Sequence, residues 1–461
     1  MTRGRSTLIL LVLAAALGAY IWFVESKRDP ADDEPKAERV FASLESGDIV
    51  GLTIHAANGD VTTLKKSGDA WRIESPIEAA ADDSEISGLT SSLSTLDITR
   101  VIEEQPASLE PFGLDAPRLT ITFTAEGPAR TLLLGSKTVT GGDVYAKLQD
   151  APRVFLVPGW MEQGLDRTTF QLRNKSIVVV ERDAIDHVSV IGTPGTIELK
   201  KDGDSWRLVQ PVAARADGNE VGSLLTRLAS GQMQAIVAEE PATLDVYGLR
   251  PPQTTVSVTG GGKPLAQLLV GSASGDSAVH AKDAARSIVF TVEKALADDL
   301  QRRADAYRAK DLFTYRLFNL SQLVITQGDT TRTFEKKKSG DAADAPDTWA
   351  QTAPADPSVA ASTIDDIASR ISTLRAEAWT PDVPTNITPV MTVSATFDGG
   401  KQERVSIAQV GDQMFAVRDG EPGAARLTAP AVTDVLDLLN PKPATPADTA
   451  PAAGTTPGTP Q

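Results

Sequence analysis

Residues 103–117 read EEQPASLEPFGLDAP, and residues 239–252 read EEPATLDVYGLRPP. Two such stretches in one chain mark a duplication, and superimposing them aligns most of what lies on either side. Trp71, Ile73 and Pro76 precede the first, as Trp206, Leu208 and Pro211 precede the second. The tryptophans are about 135 residues apart, the length of a domain rather than of a solenoid unit. Within each stretch a Leu opens a short turn, an aromatic (Phe112, Tyr247) closes it, and Gly113 or Gly248 follows. Glycine enters the left-handed region without a β-carbon penalty. The pattern therefore predicts a turn stopped at the glycine, with Leu114 or Leu249 folding back on the leading Leu as in a Schellman ending. Pro117, Pro251 and Pro252 then force an extended exit.

Upstream of the first stretch, residues 49–54 and 61–64 are β-rich and flank Asn58-Gly59, a strong hairpin signal. A third strand around Trp71 ends at Pro76. Asp82 or Asp83 then supplies an N-cap for an amphipathic helix carrying Ile86, Leu89, Leu93 and Leu96 at three- and four-residue steps. The second copy repeats the helix with Val221, Leu224, Leu225 and Leu228, and a third copy has Ile364, Ile367, Ile371 and Leu374. Strands are expected again at 119–123, 131–134, 144–147 and 154–157, and in the second copy at 255–258, 268–270, 278–282 and 288–292. Leu-Leu-Leu-Gly-Ser (132–136) matches Leu-Leu-Val-Gly-Ser (268–272), and Tyr145-Ala146-Lys147 matches His280-Ala281-Lys282. In the third copy Trp349 and Pro354 persist, but Trp379-Thr380-Pro381 stands where an aromatic-Gly-Leu is expected.

The amino terminus predicts an address. Arg3 and Arg5 precede an apolar run at 8–24, and acidic residues follow it. The run is at the short end for a transmembrane helix, and the positive-inside rule places its amino terminus in the cytoplasm. A cleaved signal peptide competes, with a small-x-small site at 16–18. The aromatic residues Tyr20, Trp22 and Phe23 favour an uncut anchor. Past residue 441 the Pro, Ala and Thr tail has almost nothing to bury and is expected to be disordered.

The expected fold class is thus α+β: a transmembrane helix followed by three tandem repeats of antiparallel strands with a packed helix. The expected segments are 1–28 (cytoplasmic amino terminus and anchor), 29–39 (linker), 40–175, 176–312 and 313–440 (the repeats), and 441–461 (the tail).

A formal net charge of −16, from 61 acidic and 45 basic residues, argues against a nucleic-acid partner. With no cysteine, thiol catalysis, disulfides and thiolate metal sites are excluded. Gly271-Ser272-Ala273-Ser274-Gly275 has Ala where a nucleophile elbow needs Ser, and Gly261-Gly262-Lys263-Pro264 lacks the frame of a phosphate loop. The histidines His55, His187 and His280 fall at different places in the repeat and read as strand or surface residues. The pairs Glu103-Glu104 and Glu239-Glu240 are the best chemical candidates, for Ca²⁺ or a shared proton. Against that, neighbours in an extended strand point to opposite faces. Trp71, Trp206 and Trp349 offer sugar-stacking faces or, on the alternation with Ile73 and Leu208, core packing. No catalytic, cofactor or metal residue is assigned. The residues singled out as structural are Trp71, Pro76, Phe112, Gly113, Leu114, Trp206, Pro211, Tyr247, Gly248, Leu249 and Trp349.

Taken together, the anchor, the Trp-x-(Ile/Leu)-x-x-Pro copies, the Ala-Asp helix start and Tyr/Phe-Gly-Leu before Pro resemble a known family. It is the domain-of-unknown-function family of membrane-anchored bacterial proteins encoded beside gliding-motility-type ABC exporters. The resemblance covers about residues 40–315 well and the last copy poorly, and it transfers no site residue. It implies a single-pass inner-membrane protein with its bulk outside the cytoplasm, working near an ABC-2-type permease and its ATPase. A non-enzymatic accessory or adaptor role is the leading expectation. An envelope glycan- or polymer-binding module is the alternative, and an anchored hydrolase the third.

Overall fold

The computed structural model describes Tyr20 and residues 38–125, 127–338 and 347–441. The chain divides into two compact units, residues 1–175 and 176–461. The first holds one nine-stranded sheet and the second holds two.

In the first unit the strands run across the sheet in the order Ala79–Ala80, Ala70–Ser75, Val61–Ser67, Gly51–His55, Leu119–Thr124, Arg130–Lys137, Asp143–Leu148, Val154–Pro158 and Arg100–Glu103. Every pairing is antiparallel. Two meanders are thus laid side by side, and the chain between them supplies the helix Asp83–Ser94 and the far edge strand. The hairpin at Asn58-Gly59 joins Gly51–His55 to Val61–Ser67, with Gly59 at φ 93°. Asp82 caps the helix by accepting from the amides of Ser84 and Glu85. The helix buries Ile86, Leu89 and Leu93 in one core with alternate residues of the strands, among them Leu52, Ile54, Ile121, Phe123 and Leu132. A small separate pairing joins Glu38–Arg39 to Asp97–Ile98.

The second unit repeats this order twice. One sheet runs from Ala214–Arg215 at its edge through Thr254–Gly260 to Ala235–Ala238, the other from Ala355–Asp356 through Thr388–Phe397 to Ala378–Thr380. Helix Gly218–Ser230 is capped by Asp217 as its counterpart is by Asp82. Helix Ala361–Ser372 starts at Ala360, whose side chain offers no cap. The third copy adds a longer closing helix, Ala429–Leu439, that shares its core through Val432 and Val435.

Two expectations are corrected. The fold is mainly β rather than α+β, because each copy builds nine antiparallel strands around one helix of 12 or 13 residues, with shorter helices and, in the third copy, Ala429–Leu439 besides. The strands that sequence reading passed over are the edge pieces: 79–80 and 214–215, too short to show alternation, and 100–103 and 235–238, half-exposed runs that lead into the glycine turn. The expected membrane helix is not supported. Residues 8–24 lie, apart from Tyr20, outside the described residues, and among the described residues no helix is long and apolar enough to cross a membrane. All of the Pro, Ala and Thr tail except Pro441 lies outside them as well.

Candidate functional site

The duplicated stretch is built as follows. Gly113 has φ 64°, and the Leu114 and Gly113 amides donate to the carbonyls of Leu109 and Glu110 at 3.2 and 3.0 Å. Gly248 has φ 65°, and Leu249 and Gly248 donate to Leu244 and Asp245 at 3.1 and 3.0 Å. These are the two bonds of a Schellman ending. Each turn rests on a β-bulge. Across the strands Val144 pairs with Lys137 and Ala146 with Leu134, so Gly135 and Ser136 together face Tyr145. Gly271 and Ser272 face His280 in the same way.

The bulge glycine lets the turn come close. A β-carbon on Gly135 would meet the carbonyl oxygen of Phe112 inside 3.0 Å, and one on Gly271 the carbonyl oxygen of Tyr247. The aromatic of the turn then packs on the residue opposite the bulge. Phe112 meets Tyr145 and Tyr247 meets His280, each with ring centroids 5.2 Å apart. In the first unit Phe112, Leu114 and Val154 form a small second core on the side of the sheet away from the helix. That explains why Val154–Pro158 is buried at four successive residues rather than alternately.

The tryptophan corner is also shared. Trp71 and Trp349 are buried, while Trp206 is half-exposed. The carbonyls of Trp71 and Trp206 accept from the amides of Ala81 and Ala216 at 3.1 and 3.0 Å, pinning the short edge strand. Pro76, Pro211 and Pro354 each follow a cis peptide bond. In the third copy Trp379 lies in the edge strand, and Gly423 takes over the close approach, against the Thr380 carbonyl.

The chemical candidates stay apart. Glu103 ends an edge strand, and Glu104 reaches Arg153 at 3.6 Å. Glu239 is half-buried and Glu240 exposed. Among the described residues no group of three or more His, Asp or Glu side chains could hold a metal. His55 and His187 sit at strand ends, and His280 lies 3.3 Å from the Ser272 hydroxyl. Lys282 turns its ammonium to the carbonyls of Asp283 and Arg286, and burial pulls its pKa down.

Sequence reading missed the seam between the second and third sheets, inside the second unit. Glu421, with a side chain 6% exposed, meets Arg215, Arg308 at 3.5 Å and Arg418 at 3.3 Å. Arg418 also holds Glu403 at 2.9 Å, and Glu403 accepts from the amide and hydroxyl of Thr314. Arg308 donates to the Pro422 carbonyl at 2.8 Å and lies 3.4 Å over the Trp379 ring. Burial lowers the pKa of its guanidinium, and Glu421 opposes that shift. Beside this network opens a groove of about 510 Å³ whose wall includes Trp206, Arg207, Lys310 and Arg375. The second-copy residues, the chain entering the third copy and Arg375 are far apart in sequence, so no local pattern announces them.

A family model described as Domain of unknown function (DUF4340) matches residues 71–207 and 206–389. No curated protein and no solved structure matches. The two matches begin at Trp71 and Trp206, so each begins partway through one sheet and ends inside the next. Between them they span more than half of the chain, which therefore belongs to the DUF4340 family, twice over.

Proposed function

We propose that this chain is a non-enzymatic accessory protein that holds a partner on its repeat surfaces, at the extracytoplasmic face of an ABC-type export complex. The observation that carries the adaptor reading is the seam of the second unit. There Glu421 of the third copy binds Arg215 of the second sheet and Arg308 of the chain between the two sheets, so that surfaces on both keep a fixed relation. A holder needs that constancy more than it needs a pocket. Exposed aromatics supply anchors of the type that dominate interface energetics, with Trp160 73% exposed and Phe318 85% exposed. The exporter setting, with an ABC-2-type permease and its ATPase as partners, rests on the family resemblance of the motifs. Mild-detergent co-purification of the tagged full-length protein from its own membranes tests it. A permease and an ATPase should come down in near-stoichiometric amounts, and recovery of the protein alone would overturn the reading.

A second reading, binding of an envelope glycan or polymer, is favoured by one observation. Trp71 and Trp349 are packed in cores, but Trp206 is only half-buried and lines the groove. Cell-wall polymer recovered with the protein, in place of a permease, would support it.

A further inference from the structure

We propose that the groove at the seam of the second unit binds an acidic saccharide of one to three rings, with Trp206 as its platform and Arg207 and Lys310 as its anion contacts. The proposal rests on the glycan reading and adds the charge of the ligand and its place. The groove, of about 510 Å³, falls within the usual range for a small-molecule site.

Its wall carries Arg207, Arg215, Lys310, Arg316 and Arg375 against Asp217 and Asp311, in a chain whose net charge is −16. The acids are already engaged. Asp217 accepts from the amides of Asn219 and Glu220, and Asp311 pairs with Arg375 at 2.9 Å. Arg215 is held by Glu421 and by the Asp311 carbonyl. Arg207 and Lys310 have no carboxylate within pairing distance among the described residues, and Arg316 reaches only the Tyr315 carbonyl, at 3.3 Å. Arg207 also stands directly across the strand pair from Arg215, which brings a second positive charge to the same edge of the groove.

Comparison between copies separates this charge from the needs of the fold. Counting back by the repeat interval, Arg215 corresponds to Ala80, Asp311 to Ser176 and Arg316 to Glu181. The bridge between Asp311 and Arg375 has its counterpart in the bridge between Ser176 and Gln232. Lys310 corresponds to Lys175, which is tied to Asp82 at 3.2 Å. The same backbone pairings thus form without Arg215, Arg316 and Arg375, so the sheet does not require those three cations, whereas Arg207 and Lys310 keep their charge in Arg72 and Lys175. An indole face favours a ring over a bare anion, and guanidinium and ammonium groups favour a carboxylate or phosphate on that ring. The acidic surface beyond the groove repels a long polyanion, which argues against nucleic acid.

Calorimetric titration of the full chain with trigalacturonate, maltotriose and inorganic phosphate tests this, together with the double variant Arg207→Ala/Lys310→Ala. Trigalacturonate should bind, weaken as salt rises, and lose at least tenfold in affinity in the variant. Maltotriose and phosphate should bind at least tenfold more weakly than trigalacturonate. Neither cation has an ion partner, so the variant should keep the parent urea midpoint; if it does not, Lys310→Ala alone carries the comparison. Unchanged affinity in the variant, phosphate binding as tightly as trigalacturonate, or no binding of trigalacturonate each overturns the proposal. Tight maltotriose binding that ignores the variant overturns it while leaving the glycan reading in place. Silence from both saccharides removes the two together.

Discussion

Gly135 and Gly271 carry a close backbone approach that both copies share, and they separate two costs that glycine substitutions usually mix. Gly113 and Gly68 share a φ of 64°, but a β-carbon on Gly68 meets open space whereas one on Gly113 meets the amide and side chain of Ser136. Gly68→Ala is expected to cost about 1 kcal/mol, the left-handed penalty alone. Gly113→Ala should cost more, and Gly135→Ala, which drives a β-carbon into a carbonyl, about 2–3 kcal/mol. Urea denaturation of the three variants checks the order, and equal midpoints for Gly68→Ala and Gly135→Ala would discard the packing argument. Glu403 gives a pH signature. Burial works against its ionisation, but hydrogen bonds from Thr314 and Arg418 outweigh that and hold its pKa below the usual carboxylate range. A depressed folded pKa contributes stability that is present above the unfolded value, about 4.3, and is lost as the pH falls through the folded one. The stability gap between the parent and Glu403→Gln should therefore be widest near neutrality and shrink below about pH 4. A gap in urea midpoint that stays constant down to pH 3 would rule this out.

The helices show how far element-level signals carry. A cap at Asp82 or Asp83 was legible because an acceptor stood just before an apolar stripe, and Asp82, like Asp217 in the second copy, accepts from the second and third amides of its helix. Asp82→Ala or Asp217→Ala should cost about 1 kcal/mol. The converse is available in the third copy. Ala360 is exposed, extended and without a side-chain cap, so Ala360→Asp should raise stability by about 0.5–1 kcal/mol, read as a higher urea midpoint. The long central strands and the glycine turns were legible too, since alternation and Gly placement are local properties. The edge strands were not, because two or four residues at a sheet margin bury too little to leave a period. Their absence from the sequence reading made each copy look like a mixed helix–sheet domain instead of a nine-stranded sheet.

On the scale of the whole molecule, the seam of the second unit was invisible in the sequence because its charges come from three separated stretches. Only Trp206 and Trp379, at their places in the repeat, drew notice there. Glu421→Gln would leave Arg215, Arg308 and Arg418 with a weakened shared partner in a mostly buried setting. Removing one side of such a network typically costs about 3–5 kcal/mol. Calorimetry should then show the second and third sheets melting apart instead of together, and a single unshifted transition would mean that the network does not couple them. The family matches, which begin at Trp71 and Trp206, are out of phase with the sheets. That mismatch bears on how such chains lengthen. In a tandem array, unequal crossing-over between matching positions of two copies inserts one full period wherever the exchange falls. A breakpoint at Trp71 paired with one at Trp206 would join the opening strands of one copy to the remaining strands of another and still complete a sheet. A rearrangement of that kind would preserve the nine-strand order without its breakpoints having to find a linker.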